Sequence, residues 1–166
     1  MPAPTIAALL DYETILEDAL VAYFKSLYPA WQVLTDRTTP EDEAKLETPR
    51  IEIAIALTGS GTAEHQAQNR PEEAHYESHK TGTLSIRAVA RRPKADQSLG
   101  TMRGQLRQAM LPRTLALTSV NVPYYEITHV VEAGSAPAFF AGNDEIQCEL
   151  TWDIAWFIKP DAWPLA

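Results

Sequence analysis

Apolar residues recur along the chain at two spacings, one helical and one extended, and prolines mark several of the changes between them. From about Tyr12 to Tyr28, Ile15, Leu16, Ala19, Leu20, Tyr23, Phe24 and Leu27 fall on one stripe of a helical repeat. A first helix is expected here, with Asp11 placed to cap it, Thr14 and Glu17 offering a second capping register, and Pro29 ending it. Trp31 to Thr35 predicts a short edge strand, and the charged, proline-containing stretch Asp36 to Pro49 a loop. Arg50 to Leu57 then alternates, with Ile51, Ile53, Ile55 and Leu57 on one face and Glu52, Ala54 and Ala56 on the other, as a half-buried strand does.

Between Thr58 and His75 large apolar residues nearly vanish. Such a composition cannot bury enough surface to fix itself, so a long mobile polar loop is expected at about residues 58–76. Alternation resumes from Thr81 to Arg91, where Leu84, Ile86, Ala88 and Ala90 oppose Thr83, Ser85 and Arg87, and the two flanking strands are expected to pair as an extended hairpin. After Pro93, a second helix is predicted with Asp96 or Ser98 as cap and Leu99, Met102, Leu106, Ala109 and Met110 as its core stripe, ended by Pro112. Tyr124 to Glu132 predicts another strand, and Gly134 to Asn143 a turn-rich link carrying Phe139 and Phe140.

The final segment alternates most completely. Ile146, Cys148, Leu150, Trp152, Ile154, Trp156 and Ile158 share one face, while Glu145, Gln147, Glu149, Thr151 and Asp153 share the other. A helix would scatter both sets around its circumference. Trp152 and Trp156 are therefore core candidates. At roughly 3.3 Å per residue a strand from Glu145 to Ile158 extends about 45 Å, long against a radius of gyration of roughly 15 Å for a domain of this size. It must bend, break at a bulge or project onto a neighbour. The whole chain, 1–166, reads as one α+β domain in the order α-β-β-β-α-β-β, with a mainly antiparallel or mixed sheet and two helices on one face.

A hydrophobic content of 45% over 166 residues suffices for one core without disulfides. The single Cys148 has no intrachain partner and sits between Ile146 and Leu150, so a buried, inert thiol in a reducing compartment is expected. No apolar run approaches the length of a membrane span, and no basic flank precedes one at the N-terminus. A net charge of −8 argues against a groove that grips phosphates, because nucleic-acid affinity rests on Lys and Arg. The charge is unevenly spread: from Arg87 to Arg113 there are seven basic residues against one acid, a local +6 that leaves −14 for the remainder. A basic flank on one subunit meeting an acidic surface on the next would suit a head-to-tail ring.

Candidate chemistry is sparse. The chain has no GxGxxG, phosphate loop, GxSxG elbow or CxxC pair. His75 and His79, with Glu72, Glu73 and Glu77 nearby, have the spacing that puts two imidazoles on one helical face, the basis of a small metal-dependent hydrolase as the out-of-class alternative. No apolar stripe anchors a helix there, and solvated histidines on a polar loop are the preferred assignment. His129 alternates with Tyr125, Ile127 and Val131, so a hydrogen-bonded core histidine is expected. No catalytic, metal or cofactor site is assigned.

The sequence of elements, together with the closing Trp152-Asp153-Ile154-Ala155-Trp156-Phe157-Ile158-Lys159-Pro160-Asp161-Ala162-Trp163-Pro164, resembles the tail-terminator, or tail-completion, proteins of siphophages. That resemblance implies a virion structural protein and not an enzyme. It would form a hexameric ring at the tail-head junction, assembled in the bacterial host cytoplasm, that caps the tail tube, ends its polymerisation and meets the head-tail connector while genome DNA passes through without tight binding. Arg103 and Arg107 are then candidates for the intersubunit seam, and Glu145, Glu149 and Asp153 for a channel lining where like charge keeps DNA from sticking. A head-tail joining or neck protein is the alternative within the same class.

Overall fold

The alternating C-terminal segment forms one uninterrupted strand inside a sheet. In the computed structural model, which describes residues 5, 7, 11–37, 46–61, 79–91, 98–111, 125–140 and 144–158, the elements run α1 (Tyr12–Leu27), β1 (Gln32–Thr35), β2 (Arg50–Gly61), β3 (His79–Arg91), α2 (Leu99–Ala109), β4 (Tyr125–Ser135), β5 (Phe139–Phe140) and β6 (Glu145–Ile158). The six strands make one mixed sheet in the order β1-β2-β3-β6-β4, with β5 also on β6. β1 runs parallel to β2 and every other pairing is antiparallel. This is the expected α+β order with β5 added, formed by Phe139 and Phe140 where a turn-rich link was expected.

The length of β6 is accommodated by its neighbours. β3 pairs with it from Glu145 to Trp156, while β4 covers Leu150–Ile158 and β5 covers Ile146–Gln147 on the other side. The irregularities fall in the partners: β2 bulges between Leu57 and Gly59, and β4 bulges between Ile127 and His129 and again between Glu132 and Gly134. A bulge inserts one residue into one strand and reverses the facing of the side chains beyond it. His129 and Val131 are therefore solvent-exposed while Val130 is buried, which corrects the expected core histidine. The hairpin is also longer than its apolar pattern implied, since β2 continues to Gly61 and β3 starts at His79. The polar loop thus loses its first residues to strand, and its remainder, 62–76, lies outside the described residues.

Both helices cover the same sheet face, α1 over β1 and β2 and α2 over β3 and β6. α1 buries Leu16, Leu20, Tyr23 and Phe24, and Asp11 accepts from the Thr14 N–H as its cap. Ser98, rather than Asp96, caps α2 by accepting from the Thr101 N–H. The helices are tied by hydroxyls that serve carbonyls near the end of α2: Tyr23 donates to Ala109 at 2.6 Å and Tyr28 to Gln105 at 3.1 Å. Trp152 and Trp156 are 2% and 1% exposed. Trp156 packs against Tyr12, 6.1 Å between ring centroids, and Tyr12 against Tyr125 at 5.8 Å. A Cβ at Gly82 would stand 2.9 Å from the Ala56 carbonyl oxygen and 3.0 Å from the Trp156 indole, so the absence of a side chain there lets the ring lie on β3.

Chemical denaturation tests this packing. Trp152→Ala is expected to lower stability by about 3–5 kcal/mol through the cavity it leaves, and Gly82→Ala by about 1–3 kcal/mol through overpacking beneath Trp156. Losses below about 0.5 kcal/mol, the range of ordinary surface changes, would contradict the burial of these indoles.

Candidate functional site

The sheet face away from the helices carries the carboxylates singled out by the sequence. Alternation along β6 puts Glu145, Glu149 and Asp153 on it, beside Arg91, Arg87 and Thr83 of β3 and, one strand further, Arg50, Glu52 and Ala56 of β2. Glu145 is held by Arg50, whose Nη1 and Nη2 donate to its two carboxylate oxygens at 3.1 and 3.2 Å. Arg50 Nη1 also donates to the Glu47 carbonyl at 3.4 Å. Its buried Nε makes no hydrogen bond and faces Glu52 at 3.9 Å. With side chains 7% and 20% exposed, Arg50 and Glu145 form a largely desolvated pair linking residues 95 positions apart. Arg87 stands 3.8 Å from Glu149 in a more open pair. Asp153 is exposed and has no ion pair among the described residues. The row is thus a mosaic in which Arg50 and Arg87 offset two of the three carboxylates.

The basic segment is divided by the fold in the same way. Arg87 and Arg91 lie on the sheet face away from the helices, whereas Arg103 and Arg107 belong to α2 on the opposite side. Arg92, Lys94 and Arg113 lie outside the described residues. The described basic residues of this segment therefore fall into two groups on opposite sides of the sheet. Arg107 is also engaged within its own chain: its Nε donates to both carboxylate oxygens of Glu132, at 3.0 and 3.2 Å, tying α2 to β4. Arg103 is partly buried. Cys148 lies under α2, fully buried, and burial pushes its thiol up while Arg103 and Arg107 pull it the other way. A raised thiol is a poor nucleophile at neutral pH.

Sequence periodicity passed over Glu17, although its spacing to Leu20 and Phe24 is that of a buried stripe. Its carboxylate lies where β1 has ended and the β2 edge would be bare: the Ile55 N–H donates to Oε1 at 3.3 Å, and Arg37 donates to Oε2 at 3.4 Å and to Asp18 at 2.8 Å. Burial raises the Glu17 pKa above its ordinary value and the charge of Asp36 adds to this, while the Ile55 bond and Arg37 oppose it. Beside these groups a cleft of about 450 Å³ opens between α1 and β1, lined by Asp18, Val21, Lys25, Trp31, Val33 and Leu34 among others.

No group of three His, Cys, Asp or Glu suited to a metal occurs among the described residues. His79 opens β3 in extended backbone, so the helical spacing that paired it with His75 fails at that end; His75 and Glu72, Glu73 and Glu77 lie outside the described residues. Among the described residues no helix is long and apolar enough to cross a membrane. No protein-family model matches the chain, and no curated protein matches it.

Two measurements test the electrostatics. Glu145→Ala leaves the Arg50 guanidinium desolvated without its partner and is expected to lower stability by about 3–5 kcal/mol. Glu149→Ala should change it by about 0–1 kcal/mol, as for exposed pairs, and equal losses would contradict the difference in burial. Because folding raises the Glu17 pKa, its contribution to stability is fully present below its ordinary value, 4.5, and is lost as pH rises through the folded value. Glu17→Gln keeps an acceptor for Ile55, so its stability relative to the parent should rise with pH across that window and then level off. A difference constant from about pH 4 to 8 would contradict this.

Proposed function

We propose that this chain is a phage tail structural protein that forms a ring on the end of the tail tube, stops its polymerisation and joins it to the head connector. The observation that carries this is the two-sided build: one sheet face is closed under both helices, and among the described residues no element covers the other, an ion-paired mosaic from β2 to β6 on which Arg87 and Asp153 are exposed while Val89 and Arg50 are buried. A surface of that kind suits contact with other bodies and not the enclosure of a substrate. The α-β-β-β-α-β-β order and the polar segment between β2 and β3 agree with the resemblance that suggested the role.

In a ring, the face bearing Glu145, Glu149 and Asp153 is the channel candidate. Arg50 and Arg87 neutralise two of these acids locally. DNA would then pass a surface that offers it little net attraction, in keeping with a chain of net charge −8. The role requires no metal, cofactor or catalytic residue.

Electron microscopy of particles lacking the protein tests the role. A terminator leaves tails of uncontrolled length when it is lost; normal tails detached from heads would assign the chain to the neck instead. Stoichiometric zinc in chelator-free protein, lost in His75→Ala, would replace both with the metal-dependent hydrolase.

A further inference from the structure

We infer that copies of this chain join margin to margin, the junction of β4 and β5 of one lying antiparallel beside β1 of the next, with Phe140 entering the cleft between α1 and β1 of that neighbour. This rests on the ring proposed above and names the contact that builds it.

The two margins of the sheet match in height and direction. Register carried across the sheet puts Gln32, Arg50, Val89, Gln147 and Phe139 in one row, and Thr35, Ile53, Ile86, Leu150 and Ser135 in another. The whole of β1 therefore lies level with the segment Ser135–Phe139. β1 runs with β2, and three successive antiparallel pairings reverse the direction three times, so β1 and β4–β5 point opposite ways. Copies set side by side bring β1 of one against the extended link 136–138 and the adjoining ends of β4 and β5 of the next, running in opposite directions without a two-fold axis, the head-to-tail relation that repeats into a ring. The Gln32 N–H donates to the Pro49 carbonyl, which turns Gln32 and Leu34 towards β2 and the backbone N–H and C=O of Val33 away from it. Among the described residues no strand pairs with that outer side.

The side chains also match. Phe139 and Phe140 are 50% and 61% exposed on the β5 margin. Phe140 pairs with Ile146 on the helix-covered side, one row beyond Phe139, and is level with Trp31 at the far margin. There the cleft is lined by Val21, Trp31, Val33 and Lys25 among others. The charges are complementary: Lys25 is exposed on the cleft side, and Asp144 is exposed at the Phe140 end of the other margin. Neither has an ion pair among the described residues.

Sedimentation velocity of the full chain over a range of concentrations tests the contact. The parent is expected to form a closed multimer as concentration rises. Phe140→Asp should move the midpoint of association at least about tenfold higher, as for an interface anchor, with the thermal unfolding temperature unchanged. Lys25→Asp and Asp144→Lys should each weaken association, and the two together should restore it, an outcome that a folding defect would not produce. Oxidation of a mixture of Gln32→Cys and Phe139→Cys proteins should give a disulfide only between the two variants; self-linked Phe139→Cys overturns the head-to-tail contact in favour of a two-fold dimer. Multimers unaffected by Phe140→Asp and by the charge exchange overturn this contact while leaving a ring built by other surfaces. A parent that stays monomeric alone and binds tube protein through Phe140 gives the cleft to that protein and overturns the self-contact.

Discussion

The structure depends on the central position of β6. Its apolar side chains, Cys148, Leu150, Trp152, Ile154 and Trp156, meet the inward side chains of β3 row by row and form the surface on which both helices rest. Because side chains alternate with a period of two, a slip of one residue in this strand would put two indoles in water and a row of acids in the core. The register is thus fixed by burial. Gly82 marks where the constraint is tightest, since β3 must give up a side chain for Trp156 to lie against it.

The polar groups that matter most secure the places the ladder leaves unfinished. Glu17 serves the β2 amide past the end of β1, Tyr23 and Tyr28 serve carbonyls near the end of α2, and Glu132 anchors Arg107 across the gap between helix and sheet margin. Arg50 and Glu145 join β2 to β6 over the intervening β3. Each is a contact between distant parts of the chain, and each leaves the central strands to be held by apolar packing.

That distance explains how much of the molecule is legible in the sequence. Both helices, their caps at Asp11 and Ser98, and the faces of β2, β3 and β6 follow from periodicity, which is a local property. The phase of β4 does not, because an inserted residue at a bulge is invisible to a period-two pattern: Tyr125, Ile127, His129 and Val131 alternate in sequence, yet only the first two keep the inward side. The partners of Glu145, Glu149 and Arg107 are equally hidden, being set by strand order and helix placement. The local excess of basic residues from Arg87 to Arg113 is read from the sequence, but not that the sheet divides Arg87 and Arg91 from Arg103 and Arg107. Glu17 is legible in principle, for its spacing to Leu20 and Phe24 marks a buried position, but its polar type draws attention to the cap instead.

The three bulges have a geometric consequence for the sheet as a whole. β4 uses eleven residues to span nine of β6, and β2 uses one more than the stretch of β3 it faces, whereas β3 and β6 match one for one. The flanking strands are therefore longer than the midline between them. An extra residue at a bulge raises the local right-handed twist of the strand that carries it, so these strands add coil to what pleating alone requires. Flat stacking of such twisted sheets is discouraged, and any body that beds closely on the side away from the helices must follow that twist.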